Sequence, residues 1–271
     1  MRRPSPSARR LTGLLGLGAL GCGVLVACRP DTVQVAFRPP VGARYRYQVD
    51  VTKTRTIQLG SDAPQRTVDN ARFEADETVL TSGPQGIRVR VELRRAGSAT
   101  RLFVVRFDRA AQLTAVETIE GLPASILEPF GLSEIFPAAA GAPPARPLAA
   151  GEQWTIDDPL TLAGSAPARL RGAGRLVSFG VVDGRKVASI RSSTTLPVAS
   201  DSTLQGGQLT LHGIERTVST ASREVADGAV EKAAATTGGN YQVVLTPDGG
   251  QGTPVSGTLT IEVVSQTRRL R

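Results

Sequence analysis

The chain alternates apolar and polar residues over most of its length. In the clearest run, Ile87, Val89, Val91 and Leu93 are separated by charged residues. Successive side chains of a strand point to opposite faces, so this run predicts a β-strand with one buried and one solvated face. Similar runs recur between residues 44 and 267. Their sequential spacing predicts a mainly β protein built as an antiparallel meander.

The predicted strands form two groups on either side of residues 138–150. That stretch is rich in Pro and Ala and indicates a linker. We therefore predict a first β half over residues 42–137 and a second over residues 151–271, both within one domain. The curved antiparallel sheet that results is either a half-barrel or a sandwich.

Several strand and turn signals subdivide the second half. The dipeptide Asp183-Gly184 is typical of the tight turn of a β-hairpin. Further strands are predicted at residues 222–235, 240–246 and 258–267 from their alternation, with turns at Asp227-Gly228 and Asp248-Gly249-Gly250.

The two halves begin with the same spacing of a glycine and an aromatic residue. Gly42 and Gly151 each stand three residues before an aromatic residue, Tyr45 or Trp154, that opens a strand. This spacing indicates a weak internal repeat, in which two related meanders close over one core.

Residues 123–137 interrupt the alternation and predict one short helical segment. Pro123 suits the first turn of a helix, and Pro129 interrupts it. The apolar residues of this segment recur at roughly helical spacing and are Ile126, Leu127, Phe130, Ile135 and Phe136. We expect them to lie against the sheet.

The N-terminal residues indicate an export signal with a lipid-attachment site. Four arginines precede an apolar stretch that ends in Leu25-Val26-Ala27-Cys28, a sequence that looks like a bacterial lipobox. We predict a signal peptide over residues 1–27, lipidation at Cys28 and a tether over residues 28–41 with a strand at 33–37. The alternatives are lipidation at Cys22, an uncleaved anchor or a plain secretory signal.

Charge and cysteine content change with this processing. The whole chain has 32 basic and 24 acidic side chains, and the signal carries four of the basic ones, which leaves 28 against 24. The charges are interspersed, without the basic stripe and interleaved aromatics of a nucleic-acid reader. The cluster Arg268, Arg269 and Arg271 indicates a solvated terminus, with weak attraction to anionic headgroups as the alternative. Both cysteines lie in the first 28 residues, so the mature domain has no disulfide.

No motif points to catalysis, a cofactor or a metal. His212 is the single histidine, and its parity predicts a solvent-facing strand residue. Asp157 and Asp158 are adjacent beside Pro159, which is typical of a turn. We therefore predict that the protein is not an enzyme, with a carboxylate-based hydrolase as a remote alternative.

The aromatic residues are the candidates for a ligand groove, although core packing also explains them. An apolar groove between a curved sheet and a helix has room for an acyl chain. Its candidate lining residues are Tyr45, Tyr47, Phe130, Phe136 and Trp154.

Several of these motifs together carry a family resemblance. The lipobox is followed by a Gly-x-x-Tyr-x-Tyr strand, an Ile-Leu-x-Pro-Phe segment, a Pro-x-x-x-Gly-x-x-Trp opening of the second half and a Val-Asp-Gly-Arg hairpin. This order resembles a family of uncharacterised bacterial envelope lipoproteins, which carries no assigned activity. At the level of fold, a curved sheet with a short helix in its hollow is similar to lipoprotein carriers and lipid-binding half-barrels, and function does not follow from fold.

These observations predict a non-enzymatic envelope lipoprotein, held to the membrane by its N-terminal lipid, that binds an apolar ligand or an envelope lipid. The alternative is a structural or partner-binding component without a ligand cavity. Arg29, and not Asp, follows Cys28. We therefore expect the outer membrane in a cell that has one, and otherwise the outer face of the plasma membrane.

Overall fold

The computed structural model describes residues 31–97, 100–108, 113–119, 122–123, 143–160, 168–204, 207–247 and 252–271. These residues form fourteen strands. They are β1 (Thr32–Val33), β2 (Arg44–Leu59), β3 (Gln65–Gly83), β4 (Gly86–Arg95), β5 (Arg101–Phe107), β6 (Leu113–Ile119), β7 (Leu122–Pro123), β8 (Leu148–Ala149), β9 (Gln153–Leu160), β10 (Ala168–Val182), β11 (Arg185–Leu204), β12 (Gly207–Glu224), β13 (Val230–Pro247) and β14 (Val255–Leu270).

One antiparallel sheet contains twelve of these strands and curls into a half-barrel. Its order is β7-β6-β5-β4-β3-β2-β14-β13-β12-β11-β10-β9, and β1 pairs separately with β8. The prediction of a mainly β, antiparallel half-barrel is confirmed, and the sandwich alternative is wrong because one sheet holds both halves. The halves join where the first long strand, β2, pairs with the last, β14.

The two halves begin with the same local geometry. Gly42 and Gly151 both have a φ of 83°, which favours glycine. The amide of Gly42 donates to the carbonyl of Val79 at 2.9 Å, and that of Gly151 donates to Leu176 at 2.7 Å. A register shift follows Val79 in β3 and Leu176 in β10. The Gly-x-x-aromatic spacing at the start of each half thus corresponds to one repeated backbone motif.

Two turn and strand predictions had different outcomes. Asp183 and Gly184 both have positive φ, at 49° and 76°, which confirms the predicted tight hairpin. In contrast, residues 222–235 are not one continuous strand, because the turn predicted at Asp227-Gly228 lies between the end of β12 and the start of β13.

The strand predicted at 240–246 is only the second half of β13, which runs through Gly238 and Gly239. A side chain on Gly239 would lie 2.2 Å from the hydroxyl oxygen of Tyr241. The tyrosine ring therefore covers the glycine and fills the space that a strand residue would occupy.

A strap over residues 31–40 closes one end of the half-barrel, which we call the base. Val35, Ala36 and Phe37 are at most 2% exposed. The strap docks on the β12–β13 turn, where a side chain on Gly228 would lie 2.1 Å from the carbonyl oxygen of Ala36. Residues 35–37 of the predicted tether are therefore part of the core, and the strand predicted at 33–37 is replaced by the short β1.

The predicted linker also contributes to the base. Leu148 and Ala149 form β8, and Leu148 is fully buried. The part of the chain that the structure describes contains no helix. Leu122–Pro123 pairs with β6 as a strand, so a helix does not begin at Pro123. Residues 124–137, with the rest of the predicted helical segment, lie outside the described residues.

The buried side chains form three clusters on the inner face of the sheet. The first base cluster is centred on Phe37, Tyr45, Tyr47, Val89 and Phe107. The second base cluster is centred on Val35, Leu148, Trp154, Leu176 and Ile190. The far cluster, towards the other end of the long strands, consists of Leu211, Tyr241, Val243, Leu259, Ile261 and Val263.

Candidate functional site

The structure separates the sequence-predicted groove residues. Tyr45 and Tyr47 lie in the first base cluster, and Trp154 lies in the second. Their exposed fractions are 4%, 0% and 7%. Phe130 and Phe136 lie outside the described residues, as does Cys28. The described members are therefore core residues at the base, and their role in a groove stays a prediction.

Aromatic rings pack together beneath the strap. Phe37 lies 6.2 Å from the ring of Tyr45 and 6.0 Å from that of Phe107, the latter edge-on at 85°. The rings of Tyr45 and Tyr47 lie 6.5 Å apart and nearly parallel. Such pairs add stability beyond the burial of their area. The strap is thereby fastened to the sheet by Phe37.

A four-charge network lies next to these rings. The Arg269 Nη1 atom is 3.0 Å from both Glu224 Oε2 and Glu231 Oε1. The Arg185 Nη1 atom contacts the same carboxylates, at 3.3 Å and 2.7 Å. The Arg269 guanidinium also lies 4.8 Å above the ring of Tyr45. The network alternates positive and negative charge and joins β11, β12, β13 and β14.

This network corrects the expectation of a solvated C-terminal tail for Arg269, whereas Arg268 and Arg271 are exposed. Strand β14 extends to Leu270, and the side chain of Arg269 is only 20% exposed. Arg269 has the same parity as Thr267 and Ser265, which face inward. Continuing the alternation past Thr267 would have identified it.

Polar groups are also buried in the first base cluster. The Tyr45 hydroxyl donates to Asp227 Oδ2 at 2.7 Å. Burial, together with that acceptor, raises the pKa of Tyr45, and burial raises the pKa of Tyr47. Burial lowers the pKa of Arg223 to about 10, and its Nη1 donates to the Gly228 carbonyl at 2.7 Å. Both phenols and this guanidinium therefore stay protonated at neutral pH.

Glu77 is the most unusual of these groups. It lies opposite Tyr45 in the sheet register and is 1% exposed. Neither carboxyl oxygen has a hydrogen-bond partner among the described residues. Burial raises the pKa of Glu77 to about 8, so the carboxyl is largely protonated at neutral pH. Because an ionisable group buried without a partner costs folding free energy, Glu77 bears on the stability of the base.

The inner face between the base and the far cluster carries hydroxyl pairs. The hydroxyls of Ser192 and Ser219 lie 2.8 Å apart, and those of Thr217 and Thr237 also lie 2.8 Å apart. The Tyr241 hydroxyl donates to Glu215 Oε1 at 2.6 Å. These polar groups satisfy each other within the sheet, and the far cluster beyond them consists mainly of buried apolar side chains.

The remaining candidates for chemistry lie at the surface. His212 is exposed on the outer face of β12. Asp157 lies 2.9 Å from Arg169 Nε and 3.6 Å from Arg171 Nε, so its carboxylate is engaged in ion pairs at the surface. The described residues hold no group of three or more His, Cys, Asp or Glu side chains arranged to bind a metal. Nor do they include a helix with the length and hydropathy of a membrane span.

Comparisons with known proteins do not assign a family. No protein-family model matches the chain, and no curated protein matches it. A solved structure that resembles it is OmpTdeltaL8, the loop L8 deletion mutant of OmpT, an outer membrane protein of Vibrio cholerae. The two are 9% identical over 85% of this chain and 100% of that one, with a TM-score of 0.14. That score is too low to indicate a shared fold, so the family resemblance stays a prediction.

Proposed function

We propose that this protein is a non-enzymatic, lipid-anchored component of the bacterial envelope that binds an apolar ligand, such as the acyl chain of an envelope lipid. The binding surface is the far cluster on the inner face of the half-barrel. The observation that carries this proposal is that every member of the far cluster belongs to one face of neighbouring strands.

The base and the far cluster differ in what packs on them. Both base clusters include side chains from the strap or from β8, so a second layer covers the sheet there. The far cluster and the partly buried residues packed against it come from β2, β11, β12, β13 and β14 alone. In the described part of the chain, no second layer contributes to it. Its six members are only 2–8% exposed, and an apolar occupant would pack against them from the inner side of the half-barrel.

The proposed anchor keeps the sheet close to the bilayer. Only residues 29–30 separate Cys28 from Asp31, where the described residues begin. Three residues span at most about 11 Å, so the base would lie near the headgroups. Two acyl chains on one cysteine are enough for stable anchoring. The expected address is the outer membrane, or the outer face of the plasma membrane in a cell with a single membrane.

The ligand proposal predicts that Ile261→Asn weakens binding of a fluorescent fatty acid at least about tenfold, which corresponds to about 1.4 kcal/mol. Ile261 is 4% exposed in the far cluster, and a polar amide there replaces apolar contact surface. Val264→Asn is the matched control, because Val264 lies on the outer face of the same strand and is 38% exposed. The measurement is fluorescence titration, with circular dichroism to confirm that both variants are folded. Equal binding by both variants would contradict the proposed surface.

The anchor proposal predicts that Cys28→Ser moves the protein from the membrane fraction to the soluble fraction. The hydroxyl does not accept the thioether-linked lipid, so the chain loses its membrane affinity. Cell fractionation with immunoblotting makes the measurement, and Cys22→Ser is the control that should leave the distribution unchanged. Release by Cys22→Ser instead would place the lipid on the other cysteine.

The second candidate is a structural or partner-binding component with a filled hollow. The buried strap favours it, because Val35 and Phe37 already fill the base. Native mass spectrometry after incubation with phospholipid separates the two candidates. A protein that stays at its unliganded mass, together with no titration by the fatty acid, would favour the structural role.

A further inference from the structure

Two cations lie directly opposite each other on the outer face of the sheet. Lys232 of β13 is the register partner of Arg268 of β14, and both residues are exposed. Like charges in directly opposite positions destabilise a sheet. Neither cation forms a salt bridge with a described residue; Arg268 Nη2 donates instead to the neutral Gln48 Oε1 at 2.6 Å. The pair therefore breaks a rule of sheet stability without a salt bridge of its own, and only the longer-range attraction of Arg268 to the Asp50 carboxylate offsets it.

Other arginines in the neighbouring strands do have acidic partners. Arg46 Nε lies 2.7 Å from Asp76 Oδ1, and Arg72 Nε lies 2.5 Å from Asp50 Oδ1. Arg94 shares the same Asp76. Two other cation pairs, Arg88 with Arg106 and Arg175 with Arg191, also lie directly opposite each other. What sets Lys232 and Arg268 apart is that both line one depression of the sheet surface. Local rules are broken most often where a protein has a functional site.

The pair lies in a shallow depression of about 710 Å³ on the sheet surface. The ion pair of Asp50 with Arg72 also lines this depression. Neutral hydrogen-bonding side chains surround the two cations there, and they include Gln48, Ser189, Thr220, Ser222 and Gln266. Gln48 also donates to Asp50 Oδ2 at 2.7 Å, which fixes its orientation and so holds Arg268 in place. The depression therefore combines three cations with one carboxylate, hydroxyl and amide groups, and room for a ligand of several heavy atoms.

We propose that this depression binds a phosphate ester, with Lys232 and Arg268 as the two cationic ligands. The guanidinium matches two phosphate oxygens through parallel N–H donors, and the ammonium acts as a point charge beside it. Hydroxyls of Thr220 and Ser222 are donors for the remaining oxygens. The anion removes the repulsion between the two cations. This site lies on the opposite face from the far cluster and does not depend on the proposed acyl ligand.

The test uses the full chain in a non-ionic detergent and isothermal titration calorimetry. One arm titrates soluble glycerol 1-phosphate, and the other adds phosphatidylglycerol to the micelles. Binding in the first arm identifies a soluble phosphate ester as sufficient, whereas binding in the second arm alone identifies a lipid headgroup. The double variant Lys232→Gln/Arg268→Gln should weaken binding at least about tenfold in whichever arm responds.

The control is the double variant Arg66→Gln/Arg216→Gln. Both arginines are exposed on the outer face, and the net charge changes by the same amount. Retained binding by the control assigns the effect to the depression and not to overall charge. Equal loss in both double variants, no binding in either arm, or equal competition by acetate would overturn the proposal.

A stability measurement gives an independent readout. Without ligand, Lys232→Gln should keep or raise the melting temperature, because it removes a like-charge contact. Glycerol 1-phosphate or phosphatidylglycerol should raise the melting temperature of the wild type and not that of the double variant. A fall in melting temperature on substitution, with no ligand-induced shift in the wild type, would assign the two cations a structural role.

Discussion

Replacing Glu77 with Gln is expected to raise the free energy of unfolding by about 2–4 kcal/mol at pH 8 and to change it little at pH 4. The side chain is 1% exposed and has no hydrogen-bond partner for either oxygen among the described residues. Burial raises its pKa to about 8. Gln has nearly the same shape and cannot ionise, so it removes the cost of holding a proton that the unfolded chain would release.

The sign of the pH dependence follows from the direction of this shift. A carboxyl whose pKa is higher in the folded state contributes its full stability below the unfolded pKa, which is about 4.3. That contribution is lost as the pH rises towards 8, because the unfolded state gains by ionising while the folded state does not. The wild type should therefore lose stability between about pH 4 and pH 8, and the variant should lose much less.

Urea unfolding at a series of pH values makes this measurement. Glu262→Gln is the matched control, because Glu262 is exposed on the outer face of β14 and should follow the wild-type profile. If the Glu77→Gln profile also runs parallel to that of the wild type, the carboxyl is not buried in the way described.

Phe37→Ala is expected to destabilise the protein by about 3–5 kcal/mol, the range for deleting a buried aromatic ring. Phe37 is fully buried and joins the strap to Tyr45 and Phe107. Its loss leaves a cavity and also removes the contact that fastens the strap across the base.

The control for this variant is Val41→Ala, because Val41 lies just beyond the strap and is 63% exposed. It should change the free energy of unfolding by less than about 0.5 kcal/mol. Chemical denaturation measured by the fluorescence of Trp154 reports on both variants, since this is the one tryptophan of the chain. Nearly equal stabilities of the two variants would mean that the strap is not an integral part of the core.

Local pattern was a reliable guide to the strands and to which face they bury. The run from Ile87 to Leu93 alternates between buried and partly exposed positions as predicted. The Asp183-Gly184 turn and the last strand were also confirmed. These features depend on residues near each other in sequence, because parity and turn chemistry act over a few residues.

The buried charges were partly accessible to the same reasoning. Glu77 shares the parity of Ala75 and Val79, so strict alternation places it in the core. Its charge suggests the opposite, and the conflict marks the position as unusual. Arg269 follows the same rule one residue pair beyond the predicted end of the last strand. In both cases, continuing the periodicity would have identified the residue.

The sequence by itself determined that this is an antiparallel β protein with one solvated face, and that its two halves begin with the same Gly-x-x-aromatic spacing. Only the tertiary structure decided that β2 pairs with β14, that the strap fills the base, and that Lys232 meets Arg268. These contacts join residues that are far apart in the chain or on neighbouring strands of undetermined register. Periodicity specifies which face a side chain occupies, whereas its neighbour across the sheet depends on strand order and register, which are set by packing of the whole chain.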